Sequence, residues 1–329
     1  MATTQPRTGT LNHLIGRFVS RPNLSDRTRQ YYALILRNLE WYATTNHWPE
    51  PEDITREHIR DFLTYVTNET YRWPEAPRSW YKPAAPATIH HYGQVVKTFF
   101  NWAEEEEYLQ HNPSVKVKLG SPRYREVEPY SDDEVRAMLD VCDQDARLRY
   151  RYLGLRNKAI VSLFVATGLR LLELSDIRLP QLDPRLQEVH VMGKGARVRA
   201  VPITGEARKA LRAYLQVRPD GDDALWMTDD GQPMAARGVK IMITRLKRRA
   251  GVNGGGGAHR FRHYFATRYL EAGGDINSLR LLLGHSSLAM VLKYSKFVDV
   301  RRAMAAHDQF DPLDRLVRGK SESKRRWRY

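Results

Sequence analysis

The sequence predicts a mainly α-helical chain of two domains: an N-terminal four-helix bundle, then a larger helical domain interrupted by one small antiparallel β-sheet. Three observations predict this. The 329 residues suffice for about two domains at roughly 100–200 residues each. Apolar residues recur at helical spacing in the longer segments, whereas strand composition is confined to a short pair around one Gly-Lys-Gly turn. Between the two halves, KVKLGSPRYREV (residues 116–127) is polar, basic and broken by Gly120 and Pro122, the composition of an interdomain linker.

In chain order, residues 1–9 are expected to be disordered. Thr10 can cap a short helix, LNHLIGRFV, that ends near Arg21 and Pro22. Ser25 caps a long helix to about Thr45, with Tyr32, Ile35, Leu36, Leu39 and Tyr42 on one face. Thr55 starts a third, carrying Ile59, Phe62, Leu63 and Val66. The interval from Trp73 to Pro86 is too rich in proline for a helix and reads as a loop. A fourth helix, from Ala87 to about Glu106, carries Ile89, Tyr92, Val95, Val96, Phe99, Phe100 and Trp102. In the second half, Ser131 followed by three acids is a helix start, because carboxylates favour the positive end of the helix dipole. Helices are predicted over 131–142, 156–167, 170–176, 205–217, 235–250, 259–272, 275–283, 287–293 and 298–306. Residues 188–192 and 198–201 form a hairpin, and Gly254 to Gly257 a flexible connection. The expected domains are 1–117, a linker over 118–128, 129–306, and a basic tail over 307–329.

The chain is 42% apolar and 28% charged, with a formal net charge of +15, which favours a polyanionic partner. Its single cysteine, Cys142, excludes an intrachain disulfide and a multi-cysteine metal site, and reads as a buried thiol. No apolar run has the ~18 residues of a membrane span, and the first residues lack a signal-peptide core, so a cytoplasmic protein is expected. His259 and His263 have the i, i+4 spacing of zinc ligands, but no HExxH glutamate or third carboxylate accompanies them. Neither a P-loop nor a dinucleotide fingerprint is present.

The chemistry-bearing residues fall in the second half. Arg170 follows Thr167-Gly168-Leu169 at a helix start, where its planar fork suits a phosphate and Glu173, one turn on, can orient it. Lys194 sits at the hairpin tip. His259 and Arg262 lie one helical turn apart. His285 follows Gly284, and Tyr294 follows in the next helix. Each residue taken singly has an ordinary reading, such as a surface Arg–Glu pair, a solvated turn lysine, a capping histidine or a packed tyrosine. Together they are a phenol among cations. A phenol of pKa about 10 needs neighbouring positive charge and a base to act as a nucleophile.

In order and local context, Arg170 in TGLRLLEL, Lys194 in GKGARVRAVPI, His259 and Arg262 in HRFRH, His285 in LLGHSS and Tyr294 in LKYSKF resemble the tyrosine recombinase (phage integrase) family. The similarity covers nearly the whole chain apart from its extreme N-terminus and basic tail. It implies two domains that clamp DNA, the first a core-binding domain. Tyr294 would attack the scissile phosphate to give a 3′-phosphotyrosine, with strand exchange through a Holliday junction. Arg170 and Arg262 would clamp the phosphate, His285 would donate to a non-bridging oxygen, His259 would exchange a proton, and Lys194 would protonate the leaving 5′ oxygen. No cofactor or metal is expected. The implied partner is a duplex recombination site bound by a homotetramer, with the protein weakly associated or monomeric without DNA, and no membrane. In the family the C-terminal segment docks on a neighbouring protomer, for which Phe310 and Leu313 are candidate anchors, intramolecular packing being the other reading.

Arg27, Arg29, Lys97, Lys116, Lys118 and Arg197 are candidate DNA contacts, as is Arg37, and each can equally belong to a solvated face. Arg199 reads as a DNA or solvent contact, His263 as a structural residue pointing elsewhere, and Arg260 departs from the acidic or polar residue often found at its place. Tyr264 is the other candidate nucleophile. Two alternatives stay open: a topoisomerase- or resolvase-like member with the same chemistry, and a non-catalytic DNA-binding accessory protein.

Overall fold

A computed structural model describes residues 9–70, 72–73, 83–122, 128–148, 150–193, 198–285 and 287–295. It divides the chain into two compact units, residues 1–125 and 126–329. The expected helix at 298–306, the tail with Phe310 and Leu313, residues 74–82 of the proline-rich loop, Lys194 and Arg197 lie outside the described residues.

The first unit holds α1 (Leu11–Val19), α2 (Asp26–Thr45), α3 (Arg56–Asn68) and α4 (Pro86–Glu105). The cap residues act as their chemistry requires: the Thr10 hydroxyl accepts from the His13 amide and the Ser25 hydroxyl from that of Thr28. The apolar stripes meet in a core rich in aromatics, where Phe18 sets its ring edge-on to Phe99 at 5.5 Å. The buried amide of Asn38 donates to the Tyr92 hydroxyl at 2.7 Å, which joins α2 to α4 and satisfies both polar groups. Val117 is buried in this core and Leu119 packs against it.

The second unit contains α5 (Asp132–Arg147), α6 (Arg151–Thr167), α7 (Leu171–Ser175), β1 (Glu188–Met192), β2 (Val198–Pro202), α8 (Gly205–Leu215), α9 (Ala236–Arg249), α10 (Ala258–Glu271), α11 (Ile276–Leu283) and α12 (Ala289–Ser295). The strands pair antiparallel with Val191 opposite Arg199. Ser131 and Glu134 form a reciprocal capping box at the start of α5.

Two helices run further than the sequence predicts, and tertiary contacts account for both. The polar end of α5 is held because Arg249 on α9 forks onto Asp145, both bonds 2.6 Å. The start of α6 is held by Tyr152 in its first turn and Arg156 in its second, which both donate to the Met227 carbonyl at 2.8 Å. Met227 belongs to a stretch absent from the sequence reading. There Leu225, Trp226 and Met227 are fully buried, and the Trp226 indole donates to the Leu174 carbonyl at 2.7 Å. Cys142 is fully buried, and burial together with Asp145 and Asp143 pushes its thiol up to about 12, as an inert core residue requires. Among the described residues, no helix is long and apolar enough to cross a membrane.

Candidate active site

The site is built around the carbonyl end of α11. Gly284 closes that helix in the left-handed conformation at φ 63°, and the His285 amide returns to the Arg280 carbonyl at 3.0 Å. A helix end presents unpaired carbonyls and negative partial charge. Three arginines from three other elements meet it. Arg199 Nε donates to Leu282 O at 3.1 Å, Arg262 Nη2 to Leu283 O at 2.7 Å, and Arg170 Nη1 reaches Leu283 O at 3.5 Å. A side chain at Gly284 would strike the Arg199 guanidinium, its Cβ falling 2.9 Å from Nη1.

Arg262 is 3% exposed and anchored on both sides. Its Nη1 donates to the Gly168 carbonyl at 2.8 Å, and its Nη2 lies 2.6 Å from His285 Nε2. Gly168 ends α6 at φ 61°, and a Cβ there would sit 2.5 Å from the Phe265 ring, so only glycine brings that carbonyl to Arg262. Burial and the charge of Arg170 lower Arg262 to about 10.

A guanidinium only donates, so His285 Nε2 accepts and the ring proton is on Nδ1. That Nδ1 is buried and has no hydrogen-bond partner among the described residues. Burial, then Arg262, Arg170 and Arg199, push His285 down to about 4, so the ring is neutral at pH 7. His259 is exposed at the start of α10; its pKa is lowered by desolvation and by Arg262 and Arg170, which favours the neutral, proton-accepting ring.

Glu173 is the anion among these cations. Its side chain accepts from Arg170 Nη1 at 2.7 Å, the Arg170 amide at 2.9 Å, and Arg199 Nη1 and Nη2 at 3.0 and 2.9 Å. Burial alone would raise this carboxyl, but the bonds from Arg199 and Arg170 outweigh it and hold it at about 2.

Tyr294 is 5% exposed, within an apolar cluster with Ala266, Leu279, Leu283 and Val291. It lies close enough to the Arg262 guanidinium to act on it electrostatically. The His285 ring stacks beside it at 6.3 Å, and the His263 ring meets it edge-on at 5.1 Å. Tyr264 is placed otherwise: its hydroxyl donates to Asp132 at 2.8 Å, and burial with that bond raises its pKa, the reverse of activation.

Of the six residues singled out in the sequence, the structure gathers Arg170, Arg262, His285 and Tyr294, with His259 on the same helix as Arg262 and electrostatically coupled to it. Lys194 falls outside the described residues. Three readings change. Arg199 is not a plain DNA or solvent contact, because its side chain is 15% exposed and forks onto Glu173. His263 does not point elsewhere but lies against the Tyr294 ring. Arg260, of doubtful role in the sequence, is a buried staple: it pairs with Glu134 at 2.8 Å, lies over the Tyr130 ring at 4.0 Å and donates to the Glu128 carbonyl at 3.0 Å. A pattern of local motifs gave no signal for these, since Arg260 and Glu134 are distant in sequence.

The candidate DNA contacts also divide. Arg27, Arg37, Lys116 and Lys118 are exposed. Arg29 lies 3.4 Å from both Asp26 and the Arg21 carbonyl. Lys97 donates to the Val115 and Val117 carbonyls at 3.3 and 3.0 Å, strapping the segment that follows α4.

One prediction follows from the histidine. A group depressed from 6.5 to about 4 by folding contributes stability that is full above pH 6.5 and is lost as the pH falls toward 4. Between pH 6.5 and 4.5, wild-type protein is expected to lose about 2 kcal/mol that His285→Gln does not lose, measured by urea unfolding. Parallel stability profiles for the two proteins would show that His285 is not held neutral.

Residues 130–299 match the phage integrase family, and residues 10–119 match the phage integrase SAM-like domain. The chain is 31% identical over 236 residues to the tyrosine recombinase XerC of Shewanella amazonensis, covering 70% of this chain and 77% of that protein. It is also 31% identical over 273 residues to tyrosine recombinase XerC 2 of Ralstonia nicotianae, covering 80% and 74%. A XerH site-specific recombinase in a post-cleavage complex with a palindromic difH substrate shares the fold, with a TM-score of 0.69 at 18% identity over 93% of this chain and 98% of that one. So does the Tn1549 transposon integrase in complex with a circular-intermediate DNA, with a TM-score of 0.67 at 20% identity over 92% and 99%. With one family model matched over just over half its length and a second over most of the first unit, this chain belongs to the phage integrase family of tyrosine recombinases.

Proposed function

We propose that the protein is a site-specific recombinase that cleaves and rejoins duplex DNA with Tyr294 as nucleophile. One observation carries the reading: the Tyr294 ring stacks beside His285, whose buried Nδ1 is unpartnered and whose Nε2 meets the Arg262 fork, at the helix end where Arg170 also arrives. A buried donor without an acceptor is costly, and a phosphate oxygen is an acceptor that would satisfy it.

In this reading Arg170 and Arg262 hold the non-bridging oxygens as negative charge builds on them during in-line attack. His285 donates a further hydrogen bond. The neutral His259 accepts a proton. Lys194 protonates the departing 5′ oxygen, which as a free alkoxide would leave poorly. The phenol becomes a 3′-phosphotyrosine and a 5′ hydroxyl is freed. The phosphodiester energy is kept in the new ester, so the reverse attack by a 5′ hydroxyl reseals the strand. The unit at 1–117 supplies core-site binding, with Arg27, Lys116 and Lys118 available to phosphates, the residues at 118–128 act as the linker, and 129–306 carry the chemistry. The basic tail at 307–329 contacts a neighbouring protomer within a tetramer assembled on DNA. The setting is the cytoplasm.

The test is a duplex nicked one nucleotide from a cleavage point, whose short released fragment cannot return. A protein–DNA adduct linked through the 3′ phosphate is the expected product on a duplex that carries the cognate site. Tight binding of that duplex without any adduct would favour the accessory-protein reading, and, on two intact site-bearing duplexes incubated together, cleavage that only reseals its own strand without exchange would favour the topoisomerase-like one.

A further inference from the structure

The second cation on Glu173 has no part in the chemistry above. Arg199 lies on β2 and reaches Glu173 alongside Arg170. It occupies the carboxylate as a fork, with Nη1 on Oε1 at 3.0 Å and Nη2 on Oε2 at 2.9 Å. Its remaining nitrogen, Nε, is fixed by the Leu282 carbonyl at 3.1 Å. Gly284, which cannot carry a side chain here without striking this guanidinium, completes its seat. All three nitrogens of Arg199 are therefore engaged within the protein.

This has a consequence for Arg170. A carboxylate and a guanidinium prefer two parallel hydrogen bonds. With Arg199 in the fork, Glu173 gives the Arg170 side chain one bond only, from Nη1 to Oε1 at 2.7 Å. Its other oxygen takes the Arg170 amide at 2.9 Å. Among the described residues, Arg170 Nε and Nη2 donate to nothing, and the side chain is 32% exposed. Two adjacent donors of one fork are thus left unengaged on a partly exposed side chain.

We infer that Arg199 is a positioning residue of the phosphate clamp: by filling the Glu173 carboxylate, it keeps Arg170 from pairing with it side by side and leaves the free edge of the Arg170 fork for the scissile phosphate. The inference rests on the recombinase reading. Without Arg199, a buried anion with a single partner draws a second nitrogen from Arg170, and the guanidinium turns inward. A misplacement of about 1 Å at a reacting group costs roughly 10²-fold in rate.

The test is a double-mutant cycle read as single-turnover cleavage of the nicked duplex at saturating DNA, well below the melting temperature of each variant. Arg199→Met is expected to cleave roughly 10²-fold more slowly than wild type, with DNA affinity changed by less than about threefold. Because Arg199 acts through Arg170, adding Arg199→Met to Arg170→Ala is expected to cost nothing further. Adding Glu173→Gln to Arg199→Met is expected to restore much of the rate, since no anion is left to capture Arg170. Should Arg199→Met not fold, Arg199→Lys replaces it throughout the cycle, a lysine being unable to fill both oxygens in one plane. Cleavage by the single variant within about threefold of wild type, or penalties that multiply in the Arg170→Ala background, would overturn the inference. If wild-type protein forms no adduct, the recombinase reading itself fails, and that result is distinct from either.

Discussion

Tyr294→Phe is expected to bind its DNA site with wild-type affinity and to form no covalent adduct at all. The substitution removes one oxygen and keeps the ring. The ring is what packs with Leu279, Leu283 and Val291, so the α10–α11–α12 cluster keeps its filling. The oxygen is what the phosphate would be attacked by, and no neighbour can replace it. Tyr264, the other tyrosine near the constellation, has its hydroxyl committed to Asp132 and its pKa raised by burial and by that bond. The measurement is denaturing electrophoresis of protein incubated with the nicked duplex, beside a gel-shift titration. Adduct at normal yield in the variant would remove Tyr294 from the nucleophile's role and require another side chain.

Arg262→Lys is expected to slow cleavage by about 10²–10³-fold while weakening DNA binding only a few-fold, although the formal charge is unchanged. Arg262 serves three acceptors with its two terminal nitrogens: the Gly168 and Leu283 carbonyls and His285 Nε2. An ammonium on a flexible stem is a point charge and cannot meet the three in that arrangement. The Leu283 carbonyl then loses its strongest donor, and the His285 tautomer is no longer set by a bond to Nε2. The chain's +15 is unchanged, so the long-range attraction for DNA persists. Single-turnover rates on the nicked duplex, with affinity measured in parallel, separate the two effects. A variant that cleaves within a few-fold of wild type would show that charge alone, not the planar fork, is used at this position.

The secondary structure was readable because it rests on local rules. Thr10, Ser25 and Ser131 sit before apolar stripes of helical period, and each caps the helix it precedes. The hairpin's strand composition flanks the turn around Lys194, and the register follows. The stretch around Trp226 was not readable: it has neither period, and its backbone groups are satisfied by distant partners such as Tyr214, whose hydroxyl donates to Leu225 O at 3.0 Å. Likewise the expected ends of α5 and α6 were too short, because Arg249 and Met227 lie far along the chain from the turns they support.

The same division holds in the site. The side chains able to do the chemistry were legible along the chain: a phenol, two imidazoles, a lysine and two arginines, in an order and context that mark one family. Those are properties of residue types and short motifs, and they need no partner to be recognised. How those groups are charged and held depends on contacts between elements far apart in the chain. Arg199 looks like any basic residue on a strand until β2 brings it to Glu173, and His263 looks structural until α12 lays Tyr294 against it. Arg260 looks like a departure from pattern until it closes on Glu134 and Tyr130. The neutrality of His285 comes from burial beside three arginines at one helix end, and the acidity of Glu173 from four hydrogen bonds contributed by Arg170 and Arg199. Ionisation and hydrogen bonding depend on distance and solvent access in three dimensions, and no spacing along the chain encodes either.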